Sequence, residues 1–362
     1  MGGEETPLPS LLTNLEKIKM IKKHSEKFPW LSIIIPAHNC STTIERLLDS
    51  IIAQNDNDME VIICDDNSTD NFMEKVEPYK KDLNIVYCKT KPREIHCPGN
   101  TRFDGWHNAV GEWITFIDHD DVFEPDTFRE IKRHIEETEE DKLIYTTFRD
   151  FMESENRYMK TFDGATWMHG KFYNRYWLMR EDIDFEENLY THEDLYFNGR
   201  VLSTIIGQGN HYHKIENLFV YKWIYKEDSM SRSYTKLEHS FIETHFKDYL
   251  YAAVDPWMKS YERYPSAKDF FFKQMCSVLL YAYFYYQGFL YSKGFKNILK
   301  DNIYYYQEAV HRICNGFNKT KDDIVKMVYS DFMMYDKIKH DAEIGNCNFV
   351  EVVSFLDFIR NM

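Results

Sequence analysis

The sequence predicts an α/β fold, a mainly parallel sheet with helices on both faces, followed by a helical C-terminal region. Two observations carry this. Short apolar, β-branched runs alternate with amphipathic segments over residues 31–139, joined by short connections, which is how buried strands and crossover helices read. Over residues 236–362 the apolar spacing is helical almost throughout.

The elements follow in order. LSIIIP is a β-branched run ending at Pro36, a buried strand. Residues 41–54 read as a helix with Ile44, Leu47, Leu48, Ile51 and Ile52 on one face. Ser41 or Thr42 can cap it, and Glu45 suits its first turn. MEVIICDD is a second strand, 71–81 a helix, LNIVYCK a third strand, 101–110 a helix and EWITFID a fourth strand. Residues 125–139 form a helix with Pro125 at its start. Beyond residue 140 the alternation blurs: LIYTTFRDF is a strand, 171–179 is aromatic and mixed, NLYTHEDLYFNGRVL is a turn and an amphipathic helix, and LFVYKWIY is a strand. The expected domains are an N-terminal extension over 1–30, the α/β domain over 31–235 and a helical domain over 236–362. In the extension Leu8, Leu11, Leu12, Leu15 and Ile18 recur at helical spacing beside Lys17, Lys19, Lys22 and Lys23. That helix either packs on its own protein or makes peripheral contact with an anionic membrane.

Composition narrows the function. Acids outnumber bases 59 to 44, a formal charge of −15, which argues against a general nucleic-acid binder. It leaves open a phosphorylated ligand held through a divalent metal. The seven cysteines are odd in number and contain no CxxC pair, which points to a reducing compartment and no structural zinc. The N-terminus is acidic and polar, with no secretory signal, so a cytoplasmic protein is expected. Residues 278–291 are the most apolar segment; they are too short to span a bilayer and contain Gln287 and Gly288.

In sheets of this kind ligands sit at the carboxyl ends of the strands. After the first strand come His38 and Asn39, after the second Asp65, Asp66 and Asn67, and after the fourth Asp118, His119, Asp120 and Asp121. Three carboxylates in four positions offer hard oxygen ligands that suit Mg²⁺ or Mn²⁺. The other reading is an Asp-rich turn into the next helix, for which one acid suffices. In CDDNSTD the residues Asn67, Ser68, Thr69 and Asp70 are turn formers, whereas Asp65 and Asp66 are free to accept from an imide N–H or a ribose hydroxyl. Arg102 suits a phosphate or an ion pair with one of the acids. In THEDLYF, His192, Glu193 and Asp194 stand at a helix start, where Asp194 is either a favourable helix-end charge or a general base. Ser229, Ser231 and Arg232 lie in a polar segment able to fold over a diphosphate, or in an ordinary loop. His211 and His213 share one side of a strand, as satisfied polar groups or as further metal ligands.

Taken in order, PAHN, CDDNSTD, NTRFDGWHNAVGEWITFIDHDD, GKFYNRYW, THEDLYF and YKWIYKEDSMSRS resemble the nucleotide-sugar glycosyltransferases of family 2, over residues 31–234. The resemblance implies the GT-A fold, a Rossmann-like sheet. It also implies inverting transfer from a nucleoside-diphosphate sugar, commonly a UDP-sugar, to a hydroxyl of a glycan or lipid-linked glycan, with Mn²⁺ or Mg²⁺. By the same resemblance Pro36 and His38 meet the nucleotide base, Asp66 reads it, and Arg102 lies near the nucleotide; Asn39, next to His38 at the strand end, is a further nucleotide-binding candidate. Asp118 faces the ribose and the metal, Asp120 is the metal ligand, and Asp194 is the catalytic base; Arg232, from the polar segment at 229–232, is a further candidate to bind the nucleotide. Three departures stand out: His38 replaces the usual Tyr, Phe103 replaces an Asn, and His119 is bulkier than the usual small residue. A non-catalytic module of the same fold is one competing reading. A sugar nucleotidylyltransferase is another; it would need a Gly-rich basic loop, and PAHNCSTT has no Gly, Lys or Arg. The aromatic run DFFFKQMCSVLLYAYFYYQGFLY reads as helix–helix packing, as a face for a homo-oligomer, or as a stacking surface for acceptor sugars.

Overall fold

β1 (Leu31–Ala37) and β2 (Met59–Asp65) are buried at every residue, as strands covered on both faces must be. They pair in parallel from Leu31↔Met59 to Ala37↔Asp65. β3 (Ile85–Lys89) joins β2, and β4 (Trp113–Phe116) joins β1, both in parallel. α1 (Ile44–Ile52) packs its apolar face with Ile33, Ile35, Val61 and Ile63. α3 (Pro98–His107) meets the opposite face: a Cβ on its Gly105 would lie 2.6 Å from Ile34 Cγ2. Strand alternation thus sends consecutive isoleucines to different helices.

The computed structural model describes residues 28–94, 96–138, 142–162, 164–210, 212, 214–226, 239–286, 298–330 and 349–362. These fall into two compact units, the first within Met1–Asp184 and His213–Tyr225, the second within Phe185–Tyr212 and Lys226–Met362. The division assigns Phe185–Tyr212 to the helical unit, upstream of the boundary at 235 expected from sequence.

In the first unit the sheet continues past β4 in mixed order. β8 (Lys171–Asn174) is antiparallel to β4, β6 (Leu143–Met152) is antiparallel to β8, and β9 (Lys214–Ile224) is parallel to β6. The two-residue β5 (Val122–Phe123) pairs with β9, and β7 (Arg157–Phe162) forms a hairpin with β6 through a left-handed Asn156. Sequence periodicity overlooks β5 and β7: one is too short to show alternation, and the other is almost wholly exposed.

Several helix limits differ from expectation. α1 starts at Ile44 with Thr43 as its N-cap, and no side chain makes the capping bond expected of Ser41 or Thr42. The 71–81 helix is α2 (Phe72–Val76) followed by a 3₁₀ turn over Glu77–Lys81, since Pro78 carries no N–H for the ladder. α3 begins at Pro98, three residues early, because proline is preorganised for the first helical turn. α4 (Thr127–Thr138) begins after Asp126, whose φ of +62° breaks the helical path expected from Pro125. α5 (Arg175–Glu181), after β8, completes the unit.

The second unit holds α6 (Glu193–Gly207), α7 (His239–Arg263), α8 (Lys268–Phe284), α9 (Ile298–Asp301), α10 (Ile303–Phe317), α11 (Lys321–Ser330) and α12 (Phe349–Asn361). Its core contains Phe271, Phe272, Phe284 and Tyr286 from the aromatic run, so these rings pack within the unit, while Phe270 stays exposed. No helix among the described residues is long and apolar enough to cross a membrane. The expected N-terminal helix at 8–18, His211, His213 and Arg232 lie outside the described residues.

Candidate active site

The carboxyl ends of β1, β2 and β4 lie side by side in the first unit. Pro36 is buried on β1 opposite Cys64. His38 donates from Nδ1 to the Asp66 carbonyl at 2.7 Å and faces Asn39 Nδ2 across 3.0 Å with Nε2. Asn39 takes a left-handed φ of +49°, and its Oδ1 accepts the Thr69 N–H at 2.8 Å and the Asp70 N–H at 3.3 Å. Asn39 therefore ties β1 to the β2 turn, a structural task beside the base-binding role expected of it. Asp65 has a turn role too. It accepts from the Ser68 N–H at 2.9 Å and the Tyr87 hydroxyl at 2.8 Å. Burial and that carboxylate push Tyr87 up to about 12. Asp66 turns the other way: its Oδ1 accepts from Thr90 Oγ1 at 3.0 Å and lies 2.9 Å from His96 Nδ1. His96 is half exposed and lies in no motif that would reveal it.

Arg102 is almost fully buried on α3 and donates through Nη2 to Asp118 Oδ1 at 2.7 Å. Of its two sequence readings, the ion pair is the one displayed. Burial alone would raise the Asp118 carboxyl, but the Arg102 guanidinium, with His169 nearby, holds it below the usual carboxylate range. Asp121 is more than the start of a turn. It is buried and accepts from the Ile224 N–H at 2.7 Å and the Tyr221 hydroxyl at 2.9 Å, tying the acid loop to β9. Burial, with Asp120 and Asp118 beside it, pushes its carboxyl well above the usual range. His119 bonds Thr43 Oγ1 at 2.8 Å, at the start of α1. The Asp120 carbonyl accepts from Arg46.

Beneath this loop lies His169, which the sequence reading missed. Its ring stacks on Phe148, with centroids 4.7 Å apart, and both ring nitrogens are buried without a hydrogen-bond partner. Burial lowers its pKa to about 4, so the ring is neutral. A ligand atom from each of Asp118, Asp121 and His169 lies within 4.8 Å of the others. Two hard oxygens and an imidazole fit a divalent cation such as Mn²⁺, and a cation would satisfy an orphaned nitrogen. Asp120, the expected principal ligand, is outside that group.

In the second unit Glu193 and Asp194 occupy the first turn of α6, as the sequence predicts. Asp194 Oδ1 accepts the Leu195 N–H at 2.7 Å, and the helix dipole favours a negative charge there.

Residues 32–193 match the family described as glycosyl transferase family 2. Over 130 residues the chain is 34% identical to a chondroitin synthase of Pasteurella multocida (strain Pm70), covering 35% of this chain and 13% of that protein. Over 115 residues it is 31% identical to the poly(ribitol-phosphate) beta-N-acetylglucosaminyltransferase TarS of Staphylococcus aureus (strain Mu50), covering 31% and 20%. The matched stretch thus spans a fifth or less of these two relatives. The crystal structure of S. aureus TarS 1–349 in complex with UDP-GlcNAc aligns with a TM-score of 0.63 at 17% identity, covering 91% of each chain. At that identity the likeness is one of fold.

Proposed function

We propose that residues 32–193, which match glycosyl transferase family 2 and share the fold of the UDP-GlcNAc-bound neighbour, form a GT-A glycosyltransferase domain, and that the protein transfers a sugar, with inversion, from a UDP-sugar to a hydroxyl of a glycan or glycoconjugate. The observation that carries the reading is the acidic edge at the ends of β2 and β4, which flank β1 and carry Asp66 and the Arg102–Asp118 pair. Pro36 and His38 border the space for the base, Asp66 accepts from the base imide, and Asp118 faces the ribose.

Asp118 and Asp120, with Asp121 and His169 behind them, would hold Mn²⁺ or Mg²⁺. Such an ion supplies neutralisation of the charge that develops on the departing diphosphate. Asp194 accepts the proton of the attacking hydroxyl as its oxygen bonds the anomeric carbon and the bond to the β-phosphate oxygen breaks. A single displacement inverts that centre.

The test is UDP release and sugar transfer over a panel of nucleotide sugars with Mn²⁺, beginning with UDP-GlcNAc, for the parent, Asp120→Asn and Asp194→Asn. Asp194→Asn should lower turnover by about 10²–10⁴-fold while UDP still raises the melting temperature. Asp120→Asn should weaken that thermal shift. A panel in which no nucleotide sugar is turned over or stabilises the protein sinks the donor-site reading. Parental turnover in Asp194→Asn sinks the base assignment alone.

A further inference from the structure

We propose that His192, His245 and Asp248 are positioning residues that aim Asp194; the inference rests on Asp194 being the base. The chain enters α6 through His192, at φ +62° and ψ +23°. A residue with a Cβ adopts this left-handed conformation rarely, and it persists where the surroundings over-determine it. His192 makes no capping bond, so the conformation does not serve the helix end in the usual way.

The surroundings come from α7. Asp248 is buried, and its Oδ2 accepts the Tyr190 N–H at 2.9 Å, the Thr191 N–H at 3.0 Å and the Thr191 hydroxyl at 3.4 Å. The His192 ring sits against His245, with centroids 4.0 Å apart, and against Tyr249 at 5.3 Å. His192 Nε2 is 3.3 Å from His245 Nδ1, which in turn lies 2.9 Å from the Tyr286 hydroxyl. Three donors on one carboxylate and one packed imidazole thus hold residues 190–192, immediately ahead of the acids.

Farther along, α6 is fixed to α7 by other means. Ser203 Oγ bonds Ser260 Oγ at 2.6 Å, and a Cβ on Gly199 would approach the Pro256 ring to 3.1 Å. With the body of the helix held against α7, the path by which the chain enters its first turn is set at His192, whose carbonyl accepts the Tyr196 N–H at 3.0 Å. A buried carboxylate contributes little stability, because desolvation offsets its hydrogen bonds. What the Asp248 contact supplies is direction: it fixes the path of the two peptides that lead to Asp194.

Asp248→Asn removes the charge and keeps the shape. His192→Gly keeps the left-handed turn accessible and removes the ring. Steady-state kinetics of both variants, beside Asp194→Asn, give the answer. Turnover should fall at least tenfold in each, with the donor KM and the UDP-induced thermal shift within twofold of the parent. Should Asp248→Asn fail to fold, His192→Gly decides. Turnover within twofold of the parent, whatever the melting temperature does, overturns the inference. If Asp194→Asn itself turns over at the parental rate, the base reading has failed; if Asp194→Asn is dead and Asp248→Asn is not, only the positioning claim falls.

Discussion

The acidic edge of the first unit and the start of α6 in the second each present carboxylates at the end of an element, yet they are held in different ways. At the edge the motif residues hold one another. Arg102 pairs with Asp118, Asp121 takes the Tyr221 hydroxyl and the Ile224 N–H, and His119 reaches Thr43. At α6 the residues beside Asp194 are held by a helix some fifty positions downstream, through Asp248 and His245. A site assembled at strand ends carries its charge balance in its own motifs. A site aimed by packing draws its orientation from residues that no motif contains.

The largest effect that would sharpen this contrast is on the ion pair. Arg102→Met leaves Asp118 without its guanidinium partner, and we expect a loss of about 2–3 kcal/mol in denaturant unfolding at pH 7. The sign with pH follows from the lowered Asp118 carboxyl. Its contribution is present above the unfolded carboxylate pKa and is lost as pH falls through the lower folded value. The difference between parent and Arg102→Met should therefore shrink in acid. An equal difference at pH 7 and pH 3 would remove charge balance as the basis of the edge.

This contrast also explains what is legible in the sequence. β1, β2 and β4 announce themselves by β-branched runs, and their ends carry Asp66, Asp118 and Asp120 into one edge. Asp194 falls at the start of an amphipathic helix with its helix-end preference intact. His169 is not legible, because it lies in an irregular stretch before β8 and its meaning comes from Phe148 and Asp121, which only the sheet brings near. Asp248 and His245 are not legible either: on α7 they read as ordinary polar positions, and only the path of residues 190–192 gives them a role. Asp121 reads as a mere turn residue because its partners, Tyr221 and Ile224, are supplied by β9 about a hundred residues later.

A second measurement addresses the helical side. Burial lowers His245 to about 4, and burial with its neighbour His245 lowers His192 well below the usual value. Between about pH 6.5 and 4 the unfolded chain binds protons at these positions that the folded chain does not, so stability present above that window is lost as pH falls through it. For His245 alone the loss is on the order of 3 kcal/mol. The raised Asp121 and Asp248 carboxyls act in the opposite sense, losing stability as pH rises. His245→Gln isolates the imidazole: its unfolding free energy should fall less than the parent's between pH 6.5 and 4.5. Parallel curves would mean that the ring is hydrated and does not seal the turn at His192.

The smallest effect compares how each unit packs its glycines. A Cβ on Gly111 would lie 2.5 Å from Ser32 Oγ and 2.6 Å from Ser32 N, so a β1 backbone atom would have to move. A Cβ on Gly199 would meet only the Pro256 ring, at 3.1 and 3.2 Å, where a few tenths of an ångström of give suffice. Gly111→Ala should therefore lower stability by about 2 kcal/mol, in the range of overpacked cores. Gly199→Ala should stay within about 1 kcal/mol of the parent, because alanine's helix propensity offsets part of the contact. The measurement is denaturant unfolding followed in parallel with turnover. In Gly199→Ala a small stability change should come with a measurable fall in turnover, since any shift of α6 against α7 moves the turn that carries Asp194. In Gly111→Ala stability should fall with turnover per folded molecule retained, because Gly111 lies at the amino end of β4, away from the acid edge at its carboxyl end. The reverse pattern would show that the acidic edge, and not the helix start, is the part sensitive to small displacements.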